Sequence, residues 1–251
     1  MRQDEPISMY GTRLQYIQAI DAAAESIAGA FCNGEPITER ILRTICSIYE
    51  SAKVEQHFKD EHFDTAYHSP ITGELEFLIA RILYHYSQQT GKGWSIYLRR
   101  QESKTAPDIR LLKKGKTFAV IEVKAKAGWI QAFLSPERYG HDKQRLATGI
   151  SNFNPDHLIA NVRAQLTKYC RTFQLGPSDV FMLLPTLALV HRKKYSTDLE
   201  GYYSYFGSTS GLPNENLVLL SRDKRLDLSC SVTNLHATTD FEKLLAKLSA
   251  K

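Results

Sequence analysis

Pro107-Asp108-Ile109-Arg110-Leu111-Leu112-Lys113-Lys114-Gly115-Lys116-Thr117-Phe118-Ala119-Val120-Ile121-Glu122-Val123-Lys124 is the stretch on which the fold turns. Between its charged ends lie two apolar, β-prone runs joined by Lys113-Lys114-Gly115-Lys116, a pattern that predicts a β-hairpin. With the turn centred on Gly115, antiparallel partners keep a constant index sum, so Asp108 is expected opposite Glu122. Glu122 and Lys124 are two apart and share one face of their strand, while Ile121 and Val123 take the other. Three charged groups should therefore meet at one strand edge. Two charges at the end of an apolar strand are costly to bury, which points to chemistry rather than to structure alone.

Working outward, the first third of the chain reads as helical. Leu14, Ile17, Ile20, Ala24, Ile27 and Phe31 recur at three to four, as do Ile37, Ile41, Ile45, Ile48 and Ala52. Asn33-Gly34-Glu35-Pro36 separates these two amphipathic helices. A third helix is expected to open near Ser69-Pro70, turn Leu75, Leu78, Ile79, Ile82, Leu83 and Tyr86 inward, and stop at Gly91-Lys92-Gly93. Trp94 to Leu98 then reads as a strand, followed by the hairpin and by a charged, aromatic loop from Trp129 to Phe153. A further helix is capped by Asn154, has Pro155 in its first turn, carries Leu158, Val162, Leu166, Tyr169 and Phe173 in a stripe, and ends before Gly176. Asp179 to Val190 reads as a buried strand that Pro185 divides, Asn216 to Leu220 as another strand, and Asp240 opens a final helix.

The bulk numbers suit this reading. A chain of 251 residues with 43% hydrophobic content can bury a large core, and a net charge of +5 tilts toward an anionic partner. Cys32, Cys46, Cys170 and Cys230 show no C-x-x-C spacing and read as buried reduced thiols. No run approaches about 18 apolar residues, and MRQDEPISM lacks the apolar run of a signal sequence, so a cytoplasmic protein is expected. There is no G-x-x-x-x-G-K-[ST] and no G-x-S-x-G, and His62, Asp64 and His68 do not make a zinc site.

Pro107-Asp108 with Glu122-Val123-Lys124, set in the order helix, strand, strand, strand, helix, strand from about 70 to 190, resembles the PD-(D/E)XK nuclease superfamily over about half of the chain. The resemblance implies an α/β fold with a restriction-endonuclease-like core (αβββαβ, a mixed central sheet flanked by helices) and an N-terminal helical extension. In domain terms this is one domain over 1–251: extension 1–69, nuclease core 70–195, C-terminal addition 196–251. It also implies that Asp108 and Glu122 bind Mg2+ and that Lys124 orients or activates the attacking water. Magnesium prefers carboxylate and water oxygens, which suits such a pair. Superfamily cores often add a helical glutamate, and Glu76 resembles it, with Glu74 in reserve. Gln165 and Tyr169 resemble a Q-x-x-x-Y element of some of these nucleases, and a spacing of four puts them on one helix face. Lys126, Arg138, His141, Lys143 and Arg145, among Trp129, Phe133 and Tyr139, are candidate DNA contacts, as are Arg192 and Lys193.

The expected activity is Mg2+-dependent hydrolysis of phosphodiester bonds in double-stranded DNA, leaving 5′-phosphate and 3′-hydroxyl ends. A stand-alone type II restriction endonuclease acting as a homodimer leads the readings. Its rivals are a structure- or end-dependent repair, recombination or phage-defence nuclease, and a non-catalytic DNA-binding module.

Overall fold

In the hairpin, Lys114 and Gly115 both take left-handed φ values, 51° and 76°, as a two-residue type I′ turn requires. The turn therefore centres between these residues, not on Gly115 as expected. It joins β2 (Ile109–Lys113) to β3 (Lys116–Val123) and pairs Lys113 with Lys116 and Leu112 with Thr117. Continued unchanged, that register would set Asp108 opposite Ile121. Between Leu111 and Leu112 the register shifts, because Phe118 is an extra residue in β3. Beyond the bulge Leu111 pairs with Ala119 and Ile109 with Ile121, so the next position sets Asp108 opposite Glu122. The expected facing of the two acids thus holds for a reason the pattern alone did not contain.

This computed structural model describes residues 9–51, 71–124, 155–185, 203, 207, 210–222 and 235–251. Around the hairpin lie α1 (Met9–Cys32), α2 (Thr38–Ser51), α3 (Thr72–Gln89), β1 (Trp94–Leu98), α4 (Pro155–Phe173), β4 (Val180–Leu184), β5 (Leu217–Leu219) and α5 (Asp240–Ser249). The strands form one mixed sheet in the order β1-β2-β3-β4-β5. β1, β2 and β3 are antiparallel, and β4 and β5 each join parallel to their neighbour. The parallel step from β3 to β4 needs a long crossover, and α4 lies within it. Among the described residues the elements from α3 to β4 follow the predicted order, and β4 ends immediately before Pro185. Asn154, Ser69, Pro70 and Ala52 lie outside the described residues.

Strand alternation divides the core in two. Ile109, Leu111, Ala119, Ile121, Val123, Phe181 and Leu183 join one cluster with α1, α2, α3 and α5, to which α3 contributes Leu75, Leu78, Ile79, Ile82, Leu83 and Tyr86 as expected. Phe118 and Ala119 both reach this side, as neighbours flanking a bulge can. α1 and α2, expected as an extension, thus share the core of the sheet. Ile20, Ala24 and Ile27 are buried in it, whereas Leu14, assigned to the same stripe, is exposed. Val120, Glu122 and Met182 are buried on the opposite face, where Leu166, Tyr169 and Phe173 of α4 also bury.

Distant segments complete local structure. The N-terminal amides of α2 at Ile37 and Thr38 donate to Glu242 Oε1 of α5 at 2.7 and 2.8 Å, satisfying donors a helix start leaves open. α4 stops at Gln174, whose φ of 55° and the Leu175 N–H to Cys170 carbonyl bond of 2.9 Å make a left-handed cap, and Gly176 lies beyond the helix end as expected. Cys46 is buried, but Cys32 is exposed because it closes α1 at the surface, and Cys170 is half-buried; Cys230 lies outside the described residues. Among the described residues no helix is long and apolar enough to cross a membrane.

Candidate active site at the open end of the hairpin

Glu122 sits on an apolar strand and is 2% exposed, so its charge requires partners. They come from two elements. Lys124, two residues along the same strand, donates from Nζ to Glu122 Oε1. α4 supplies the rest: Gln165 Nε2 donates to Oε1 at 2.9 Å and Tyr169 Oη donates to Oε2 at 2.7 Å. Gln165 Nε2 also lies 2.7 Å from Tyr169 Oη, so the two residues, one helical turn apart, grip both carboxylate oxygens. Tyr169 belongs both to the core, at 2% exposure, and to the site. Burial first, and the Glu122 carboxylate second, push its phenol pKa up, so Tyr169 is a donor and stays protonated.

Asp108 approaches the same point from the chain entering β2. Its Oδ2 accepts the Val123 N–H at 2.8 Å and lies 3.9 Å from Lys124 Nζ. One ammonium therefore spans two carboxylates. Burial raises the Asp108 pKa to about 7, with the charges of Glu122 and Glu76 adding to the rise and Lys124 and the Val123 N–H opposing it. Among the described residues Lys124 answers Asp108 and Glu122, and Arg99 answers Glu76.

Glu76, on the first turns of α3, is buried, and Arg99 holds it with two bonds: Nε to Oε2, and Nη2 to Oε1 at 2.7 Å. Glu74 points elsewhere and pairs with Arg13 of α1 at 3.2 Å. Of the two glutamates, Glu76 is the one that adjoins the site. Arg99 takes both of its carboxylate oxygens, and among the described residues no three His, Cys, Asp or Glu side chains are grouped so as to hold a metal ion. Arg99 is the residue that sequence reasoning missed. It follows β1 with φ at 50°, and its backbone N–H donates to the Asp108 carbonyl at 2.9 Å, tying the end of β1 to the start of β2. The Arg99-Arg100 pair after a strand was visible, but its partner lies 23 residues away and required the fold.

The arrangement thus gathers Asp108, Glu122, Lys124, Gln165 and Tyr169 at one point, with Glu76 and Arg99 beside them. Lys126, Arg138, His141, Lys143, Arg145, Arg192 and Lys193 lie outside the described residues. A pair of carboxylates sharing one ammonium is a donor set of hard oxygens of the kind a hard divalent cation takes, which needs only one or two protein carboxylates when water and a phosphate complete its shell. Compared with models of known protein families, with curated proteins and with solved structures, the chain matches none.

Proposed function

We propose that this protein is a Mg2+-dependent endodeoxyribonuclease of the PD-(D/E)XK superfamily that hydrolyses phosphodiester bonds of double-stranded DNA, as a type II restriction enzyme working as a homodimer. The observation that carries the reading is the convergence of Asp108 and Glu122 on the single ammonium of Lys124. Asp108 and Glu122 would hold the magnesium ion, which supplies charge neutralisation at the phosphate and activation of water when bound. Lys124, whose ammonium lies between the two carboxylates, would orient the attacking water in line with the scissile bond. Gln165 and Tyr169 hold Glu122 in one rotamer, so that its oxygens need no reorganisation during the reaction. The Val123 N–H does the same for Asp108. In a homodimer, two-fold symmetry would present one such site to each strand.

A second reading, a structure- or end-dependent nuclease of repair, recombination or phage defence, draws support from the joint grip of Gln165 and Tyr169 on Glu122, since it is the Q-x-x-x-Y element that inclines the resemblance that way. Incubating the protein with mixed plasmid DNA and Mg2+ and sequencing the product ends separates the two. Discrete cut sites support restriction, and progressive loss from ends supports the rival. Mg2+-dependent cutting that survives Asp108→Ala or Lys124→Ala would defeat the assigned site.

A further inference from the structure

Among the described residues three carboxylates, Glu76, Asp108 and Glu122, crowd the open end of the hairpin, and two basic side chains answer them, Lys124 and Arg99. The two bases differ in setting. Lys124 lies between Asp108 and Glu122 and is mostly covered, whereas the Arg99 side chain is 56% exposed and the Glu76 carboxylate it holds is 2% exposed. Among the described residues, Arg99 is therefore the cation of the cluster that is more open to solvent. Its main chain is independently anchored by the N–H bond to the Asp108 carbonyl, so the guanidinium can turn without the strand moving. A guanidinium pairs with a carboxylate and with a phosphate through the same two-pronged geometry, so one partner can replace the other at little geometric cost. Charge decides the direction. Among the described residues three acids face two bases, and with Asp108 raised to about 7 the cluster carries no net positive charge near neutral pH; a divalent cation would make it positive, and a phosphodiester would offset part of that charge.

We propose that Arg99 is a phosphate-contacting residue of this site, held by Glu76 in the free protein and passing from Glu76 to a backbone phosphate of the DNA when substrate binds. The exchange rests on the nuclease reading above. It makes Glu76 a competitor of the substrate for Arg99, so the Glu76 carboxylate restrains DNA binding until cation and duplex arrive together.

The test is equilibrium binding of a fluorescein-labelled, mixed-sequence duplex followed by anisotropy in EDTA, where no cutting occurs, across a series of salt concentrations. Glu76→Gln frees the guanidinium and should tighten binding relative to wild type. In that background, Arg99→Gln removes no ion pair and replaces a pair of charged side chains by two neutral amides, so loss of folding does not confound it. The double variant should bind roughly tenfold more weakly than Glu76→Gln alone, the cost of one charge-assisted contact. The slope of log affinity against log salt should also flatten by about 0.9, the release expected of one phosphate contact. Equal affinities and equal slopes for Glu76→Gln and for the double variant would overturn the exchange. If Mg2+-dependent cutting by wild type persists alongside that null result, the nuclease reading stands and the role of Arg99 alone falls. A wild-type chain that neither binds nor cuts duplex removes both.

Discussion

Replacing Asp108 with asparagine should make the protein more stable while ending the proposed nuclease activity, and the gain should grow with pH. In the unfolded chain this carboxyl titrates near 3.8, and in the fold burial, with Glu122 and Glu76, raises it to about 7. Between those values the folded state keeps a proton that the unfolded state has lost. Raising the pH through this window therefore lowers stability, and the full penalty is present above about 7 and absent below about 4. At about 1.4 kcal/mol per pH unit the shift corresponds to about 4 kcal/mol. Water at the 16% exposed edge of the side chain screens the charges and reduces this, so about 2 kcal/mol at pH 8 is the working expectation. Asparagine retains an oxygen for the Val123 N–H and keeps the shape, so little offsets the gain. Urea unfolding of wild type and Asp108→Asn at pH 5, 6, 7 and 8 measures it: the two curves should separate progressively in favour of the variant. Mg2+ at pH 8 should then raise the stability of wild type and narrow the gap, because a cation that binds only the folded state stabilises it. A gap of equal size at pH 5 and pH 8, or a variant weaker than wild type at pH 8, would refute the reasoning.

Other expectations follow from single contacts. Tyr169→Phe keeps the ring but removes the donor to Glu122 Oε2, a charge-assisted bond in a buried setting, and should cost about 2 kcal/mol, seen as a melting point lower by roughly 4–8 °C. Gly115→Ala meets no atom within 4 Å of its new Cβ, so its cost is conformational, about 1 kcal/mol for the left-handed φ; Gly115→Asn should recover most of it in the same denaturant assay. Glu242→Ala takes the acceptor from the first amides of α2 and should cost about 1–2 kcal/mol, with faster hydrogen exchange at the start of α2 than at its centre.

Much of this protein is legible along the chain because it depends on neighbours in sequence. The strand alternation around Ile121, Glu122 and Val123, the inward stripe of α3 and the four-residue spacing of Gln165 and Tyr169 all follow from the period of a strand or a helix. Those periods determine which residues share a face, and so they yielded the pairing of Glu122 with Lys124 and the side of α4 that meets it. They do not determine register or the partner across space. The extra residue at Phe118 decides whether Asp108 meets Glu122 or Ile121, and a one-residue slip would have sent the acid to the wrong face. Glu76 gives the same lesson: its place in α3 is periodic, but its capture by Arg99 rests on a left-handed residue at the end of β1 and on the packing of α3 beside the sheet. The cap on α2 comes from a glutamate 205 residues from Ile37. Local periodicity selects faces because covalent geometry repeats; which charges meet is set by where the folded chain brings distant segments together, since a buried carboxylate takes whatever donor packing places within reach.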